Sequence, residues 1–121
     1  MYLLSGQNIT CGYNSIDIVF DCDIGVNKGE IASIVGPNGA GKSTVMKSLF
    51  GLIGIKKGKV LLDGENITNM LPQQRVLKGM GFVPQTNNIF PSLSVQENLE
   101  MGAFIKNSDP ENMLDYIYGI F

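Results

Sequence analysis

The sequence has few of the side chains that bind transition metals. It contains no histidine and only two cysteines, Cys11 and Cys22. These two lie in separate predicted strands and do not have the spacing of metal ligands, so a zinc site is excluded. We expect both cysteines to be reduced, structural thiols.

Positive charge is also sparse. The chain has 9 Lys and Arg against 11 Asp and Glu, for a net charge of −2 at pH 7. It has no basic run to neutralise a nucleic-acid backbone, so nucleic acid is not expected as a partner. No apolar run approaches the roughly 18 residues that cross a bilayer, and the start lacks the basic region of a signal peptide. Any membrane role is therefore expected to be peripheral.

The most informative stretch that is present is glycine-rich. Residues Gly36–Thr44 read GPNGAGKST and fit the pattern G-x-x-x-x-G-K-[ST]. The apolar, β-branched run Ile31–Val35 precedes them as a predicted strand, and a predicted helix runs from near Gly41 to about Phe50. The motif thus has strand, loop and helix in the order it needs, and we predict a triphosphate site.

Each residue type in this loop has a physical role. Glycines at 36, 39 and 41 permit positive φ and turn backbone N–H groups inward, beside a helix N-terminus. Lys42 supplies a mobile charge for the β- and γ-phosphates, and Ser43 a hydroxyl for Mg²⁺. A glycine-rich turn without a ligand is the alternative, which Gly-Lys-Ser at this spacing disfavours. The predicted phosphate-binding residues are Gly36, Asn38, Gly39, Ala40, Gly41, Lys42, Ser43 and Thr44.

The residues before the loop read as an antiparallel pair of strands. Strands are predicted over about 2–10 and 16–24, and the recurrence of Ile16, Ile18 and Phe20 at period two predicts one buried face. The turn at residues 11–14 exposes Tyr13, which either stacks on adenine or packs at the edge of the sheet.

Shorter elements follow the loop. A strand over about 59–62 is predicted to run into a turn that contains Asp63. This turn is favoured over the alternative, in which Asp63 ends an apolar strand as an acidic Mg²⁺ ligand. Pro72 is predicted to begin a helix through about Lys78. Residues 82–84 are predicted as a strand. Gln85 then lies at its C-terminal end, where ligands collect in open α/β sheets, although an ordinary surface glutamine is the alternative.

Two helices are predicted near the end of the chain. Ser94 and Glu97 form a capping box for a helix reaching about Ile105. Asp109 is the expected N-cap of a second helix. The second helix carries a predicted apolar stripe of Met113, Leu114, Ile117 and Phe121.

The order and spacing of Tyr13, the Gly36–Thr44 loop and the segment Gly81–Gln85 make the chain resemble the nucleotide-binding subunits of ABC transporters. The resemblance covers essentially all 121 residues. Within that superfamily, Phe90–Leu99 followed by Met101–Phe104 looks most like the ATPase subunits of branched-chain amino-acid importers. Other short stretches are shared in part by related importers and lipopolysaccharide exporters.

The resemblance implies an α/β fold with a P-loop NTPase core and an antiparallel β subdomain. It implies that Tyr13 stacks on adenine, that the loop cradles the phosphates, that Ser43 is a Mg²⁺ ligand, and that Gln85 contacts Mg²⁺ and the attacking water. The implied cofactors are ATP and Mg²⁺. The implied partners are membrane-spanning transporter subunits and a second, head-to-tail ATPase subunit, with a peripheral location at the cytoplasmic face of the membrane.

Three motifs of that family do not occur in the sequence: the Leu-Ser-Gly-Gly signature, the apolar strand ending in Asp-Glu, and the switch histidine. We therefore expect residues 1–121 to be the N-terminal portion of a nucleotide-binding domain, truncated before the signature motif and Walker B strand. The intact subunit would hydrolyse ATP to drive solute import. The chain alone lacks the catalytic glutamate, so a nucleotide-binding module without turnover is an alternative.

Other P-loop enzymes are the remaining class. A small-molecule kinase would need an Arg-rich lid, and a GTPase would need an Asn-Lys-x-Asp motif to bind its base; neither occurs.

A final expectation concerns the association of the chain with itself. A parallel core without one of its strands exposes an unpaired edge, so we expect the 121-residue chain to dimerise or aggregate.

Overall fold

The computed structural model describes residues 1–37, 39, 41–84, 89–102 and 110–121, with the side chains of residues 110–112 excepted. The chain divides into two compact units, Met1–Gly81 and Phe82–Phe121, and each is described by itself. Within the described residues, no helix is long and apolar enough to cross a membrane.

The first unit is built on a four-stranded antiparallel sheet. Its strands are β1 (Leu4–Tyr13), β2 (Ile16–Val26), β3 (Ile55–Leu62) and β4 (Glu65–Asn66), in the spatial order β2-β1-β3-β4. The predicted antiparallel pair is confirmed. The bounds differ from the predicted ones. Strand β1 runs from Leu4 through Tyr13, so the turn lies at residues 14–15, and β2 continues to Val26. Strand β3 begins at Ile55, which pairs with Cys11 of β1.

The buried face of β2 is not the one that the alternation of Ile16, Ile18 and Phe20 suggests. Ile16 is 69% exposed and Phe20 is 67% exposed, whereas Val19 is only 7% exposed. Asp21 has φ 45°, and this left-handed residue shifts the alternation, so that Cys22 and Ile24 beyond it pack against the core. A bulge reverses which side chains face inward, and period two alone cannot place it.

The bulge extends across three strands. Asn8 of β1 has φ 52° and Gly58 of β3 has φ 94°, and both lie where the β1 register shifts against its neighbours. Two backbone N–H groups at this point donate hydrogen bonds to side chains. The Asn8 N–H donates to Asp23 Oδ1 at 2.8 Å, and the Asp21 N–H donates to Thr10 Oγ1 at 3.2 Å. The sheet therefore bends here without leaving these two donors unpaired.

Helix α1 (Lys42–Phe50) packs on this sheet, as predicted, and ends at Gly51, which has φ 87° and donates to the carbonyls of Lys47 and Ser48. The core lies between the helix and the strands, with Ile67 beside them. It consists of Ile9, Cys11, Val19, Val45, Leu49, Val60 and Ile67. Burial raises the pKa of the Cys11 thiol, so this cysteine stays protonated, in agreement with a structural role.

The connection after β3 also follows the sequence prediction. The Asp63-Gly64 turn joins β3 to β4, which confirms the turn interpretation of Asp63. Helix α2 (Pro72–Leu77) begins at Pro72 and has Lys78 as its C-cap.

Two predicted strands are wrong. The described residues from Asn27 to Pro37 contain a turn but no strand, and Ile31 and Val35 are 98% and 87% exposed. Residues 82–84 are likewise irregular. A parallel strand exists only when neighbours accept and donate its hydrogen bonds, and the described residues form no ladder with either segment.

The second unit contains helices α3 (Val95–Met101) and α4 (Pro110–Ile120). The capping box is confirmed, with the Glu97 N–H donating to Ser94 Oγ at 3.1 Å and the Ser94 N–H to Glu97 Oε1 at 3.0 Å. The hydrogen bond that the Glu97 carboxylate accepts from the Ser94 N–H, followed by the Ser94 hydroxyl, lowers the pKa of this carboxyl. Helix α3 ends at Met101, short of the predicted Ile105, which lies with Asp109 outside the described residues.

The predicted stripe of α4 is only partly buried. Leu114 is 9% exposed, but Met113 is 56% exposed and Phe121 is 97% exposed.

Candidate phosphate-binding site

The predicted phosphate loop connects the irregular segment after Asn27 to the start of α1. Gly36 and Gly39 are exposed, and Gly39 and Gly41 have φ values of 86° and 94°, the left-handed conformation that the motif requires of its glycines. Asn38 and Ala40 lie outside the described residues.

The N-terminus of α1 is open to an anion. Its N-cap is Gly41, no side chain caps the helix, and its first turn holds no acidic residue. The first N–H groups of a helix have no partner within the helix, and they carry the positive end of its dipole. This end of α1 therefore offers both donors and a favourable field to a phosphate.

Lys42 is the charged group of the loop. Its side chain is half-buried, and its Nζ donates a hydrogen bond to the carbonyl oxygen of Gly36, six residues earlier. The ammonium therefore folds back over the loop.

The two hydroxyl residues that follow differ in exposure. Ser43 is exposed, so its hydroxyl can reach a ligand, whereas Thr44 is only 5% exposed. Within the described part of the chain, no group of three or more His, Cys, Asp or Glu residues could hold a metal ion. A hydroxyl is a hard ligand that suits Mg²⁺, which commonly takes few protein ligands and completes its shell with phosphate oxygens and water.

Glycine is required at position 41 for a second reason. A Cβ added there would lie 2.9 Å from Val19 Cγ2 and 3.4 Å from Ile18 Cγ2. These two β2 residues therefore lie directly against the last glycine of the loop, a role that sequence reasoning did not assign to them. The motif demanded a glycine, but only the fold shows what approaches it.

Tyr13 lies at the end of β1, beside α1, and its side chain is 39% exposed. Lys47 Nζ lies 3.4 Å from its hydroxyl oxygen and 5.7 Å from the centroid of its ring. The structure thus brings the predicted base-stacking ring to α1, whose N-terminus is the predicted phosphate site. Sequence reasoning missed Lys47, because nothing in its local pattern distinguishes it from a solvated lysine.

The predicted Mg²⁺ and water contact, Gln85, lies outside the described residues. The structure therefore places Tyr13 and the loop within one unit and leaves the role of Gln85 as a prediction.

Comparison with known proteins adds independent information. The profile of the family described as "ABC transporter" matches residues 19–118. The chain is 41% identical over 115 residues to a probable branched-chain amino acid transport ATP-binding protein, LivF, of Archaeoglobus fulgidus, covering 95% of this chain and 48% of that protein. It is 39% identical over 99 residues to the lipopolysaccharide export system ATP-binding protein LptB of Haemophilus influenzae, covering 82% and 41%. The chain spans about half the length of the curated relatives it matches.

A solved structure agrees with this family. The crystal structure of the ADP conformation of an ATP-binding cassette of an ABC transporter superposes with a TM-score of 0.78 and 32% identity, over 96% of this chain and 46% of the other. The α/β fold predicted from the sequence is confirmed by this likeness.

Proposed function

The chain belongs to the ABC transporter family, and from that premise we propose that it binds ATP with Mg²⁺ through the loop from Gly36 to Thr44. The observation that carries the proposal is the hydrogen bond from Lys42 Nζ to Gly36 O, across a loop whose last glycine opens an uncapped helix N-terminus. Backbone donors, a helix dipole and a mobile cation converge there, which is the chemistry of a polyphosphate site.

The remaining ligand contacts follow from the same premise. Tyr13 stacks on the base, Ser43 supplies its hydroxyl to Mg²⁺, and Gln85 contacts Mg²⁺ and the attacking water. The exposure of the Tyr13 ring and of Ser43 supports the first two roles. The role of Gln85 rests on the resemblance alone.

Residues 1–121 are, in this proposal, the N-terminal portion of a nucleotide-binding domain. The complete domain acts at the cytoplasmic face of the membrane as a peripheral subunit. It pairs head-to-tail with a second ATPase subunit and drives membrane-spanning subunits by hydrolysis. The coverage of 48% and 41% of the lengths of LivF and LptB supports this reading.

Branched-chain amino acids are the proposed solutes. The match to LivF covers more of the chain than the match to LptB, 95% against 82%, at 41% against 39% identity. Lipopolysaccharide export is the second candidate, because these identities differ by so little. The substrate itself is recognised by other subunits, so the two are separated by reconstituting the complete transporter and measuring which solute stimulates ATP hydrolysis.

Calorimetric titration of the purified chain with ATP, ADP and AMP, each with Mg²⁺ and with a chelator, tests the binding proposal. We expect ATP to bind most tightly, AMP to bind weakly, and Mg²⁺ to strengthen ATP binding. Equal affinity for AMP and ATP would contradict a site built around the β- and γ-phosphates.

Turnover separates a coupling ATPase from a module that only holds nucleotide. Phosphate release is measured for the chain alone and for the chain joined to the C-terminal half of a similar cassette, such as LivF. We expect no hydrolysis above background from the chain alone and measurable hydrolysis from the joined protein. Absence of turnover in a folded, ATP-binding joined protein would favour the binding module.

A further inference from the structure

Arg75 is the charged side chain most completely removed from solvent among the described residues, with 2% exposure. Its partners in the structure are backbone carbonyl oxygens and include no carboxylate. Nη1 lies 2.7 Å from Leu49 O and 3.4 Å from Ser48 O, Nη2 lies 3.0 Å from Thr68 O, and Nε lies 3.0 Å from Met70 O. Burial lowers the pKa of this guanidinium below its ordinary value. A buried cation without a counter-ion is costly, so the position calls for an explanation.

The carbonyls that Arg75 contacts belong to two different elements. Ser48 and Leu49 lie in the last turn of α1, whose final C=O groups have no partners within the helix. Thr68 and Met70 lie in the segment between β4 and α2. One guanidinium therefore joins the C-terminus of the phosphate-loop helix to the segment that enters α2.

The surroundings of this contact are close-packed. A Cβ added to Gly51, the C-cap of α1, would lie 2.8 Å from Arg75 Cζ. The C-terminal end of α1 and the guanidinium are thus packed too closely for either to move without the other. A cation at this end also complements the helix dipole, whose opposite end faces the phosphate loop.

We propose that Arg75 is a positioning residue for nucleotide binding, which fixes the C-terminal end of α1 and thereby sets where its N-terminal donors point. This inference rests on the proposed ATP site. Helix α1 has 9 residues and is therefore roughly 13 Å long. A tilt of about 5° about its fixed end moves the other end by about 1 Å, which is enough to take an N–H···O distance of about 2.9 Å beyond hydrogen-bond range.

Only a forked guanidinium can contact the carbonyl groups of both elements at this position. Its nitrogens reach carbonyls in three directions, whereas a lysine ammonium presents its donors at one point. Arg75→Lys therefore keeps the charge but loses part of the link, and Arg75→Gln removes the charge while keeping a donor. Val60→Ala is the matched control, because Val60 is a core residue of β3 with 1% exposure.

The experiment measures three quantities for the wild-type chain and these variants: the thermal midpoint, the affinity for Mg²⁺-ATP well below that midpoint, and the amide chemical shifts of Gly41 to Val45 without nucleotide. We expect Arg75→Lys and Arg75→Gln to bind ATP roughly tenfold or more weakly, the effect of losing one hydrogen bond to a charged group, and to shift these amides. Val60→Ala should lose thermal stability but keep the wild-type affinity and shifts. If Arg75→Gln does not fold, Arg75→Lys decides the matter.

Two outcomes would overturn the inference. One is unchanged affinity and unchanged amide shifts in folded Arg75 variants, which would leave Arg75 as a fold-stabilising residue only. The other is an equal loss of affinity in Val60→Ala, which would show that general destabilisation weakens binding. Failure of the wild-type chain to bind ATP would instead contradict the proposed function, and the nucleotide-free amide shifts would then decide the positioning role by themselves.

Discussion

At the scale of single residues, Tyr13 lies at the end of β1 and beside Lys47 of α1, the helix that follows the proposed phosphate loop. The residue is 39% exposed, although it ends a long strand and its ring lies below the Lys47 ammonium. A partly exposed aromatic ring near the proposed phosphate site is suited to stacking a nucleobase. Stacking depends on a π-face that every base has, so it contributes affinity with little base selectivity.

We predict that Tyr13→Ala weakens binding of ATP and GTP alike, by about 1–3 kcal/mol, whereas Tyr13→Phe stays close to the wild-type chain. Titration of both nucleotides against the three proteins measures this. An equal loss in the Phe variant would mean that the hydroxyl, which lies 3.4 Å from Lys47 Nζ, makes the contribution instead of the ring.

Residues differed in how far the sequence alone could place them. Gly41 and Lys42 could be assigned because their motif encodes a local loop, and the structure shows the positive φ and the folded-back ammonium. Arg75 and Lys47 could not, because their roles depend on partners 26 and 34 residues away in the chain. No local pattern distinguishes such a residue from a solvated one.

At the scale of elements, the three-stranded bulge is the feature that shapes the sheet. Gly58 has φ 94°, and a Cβ there would lie 2.4 Å from the carbonyl oxygen of Gln7 and 2.5 Å from that of Asn8. The close approach of the β1 backbone, together with the positive φ, makes glycine necessary at this position.

We predict that Gly58→Ala lowers the free energy of unfolding by about 1–3 kcal/mol or more. Both the backbone strain at positive φ and the clash of the added Cβ with the β1 carbonyls contribute to this loss. Urea unfolding measures the loss. Gly64→Ala is the matched control, since Gly64 also has positive φ, 82°, but nothing lies within 4 Å of an added Cβ. Equal losses of stability in the two variants would show that the positive φ alone accounts for the destabilisation. The β1 backbone would then move aside for the added Cβ.

The elements that could be predicted from the sequence are those whose signals lie within the element itself. Helix α1 carries glycines at both ends, and α3 carries its own capping box, so their starts could be read from the sequence. The apolar run Ile31–Val35 reads as a strand by the same reasoning, yet a strand also needs partners. The described residues do not pair with it, and its side chains at both ends are exposed.

At the scale of the whole molecule, that run exposes apolar surface on the first unit. Ile31 and Val35 are 98% and 87% exposed. Beside them Ala32 and Ile34 line a largely apolar cavity of about 260 Å³ between the sheet and α1. An exposed apolar segment that forms no ladder within the described part of the chain favours association with another chain.

We predict that the 121-residue chain self-associates at micromolar concentration and that Ile31→Lys reduces this association. Sedimentation velocity across a concentration series measures it. Leu77→Lys is the control, because Leu77 lies on α2 and is 63% exposed. A wild-type chain that sediments as a monodisperse monomer and unfolds cooperatively would contradict the prediction.

The most direct test of the central claim is a titration of Mg²⁺-ATP into the wild-type chain, Lys42→Ala and Lys57→Ala. In the proposed site Lys42 contributes a charge-assisted contact of about 1.5–3 kcal/mol, so its loss should weaken ATP binding by roughly 10- to 150-fold. Lys57→Ala removes the same charge from an exposed position on β3 and should bind like the wild-type chain. Unchanged affinity in Lys42→Ala would contradict the account, because the phosphates would then lie somewhere other than the Gly36–Thr44 loop.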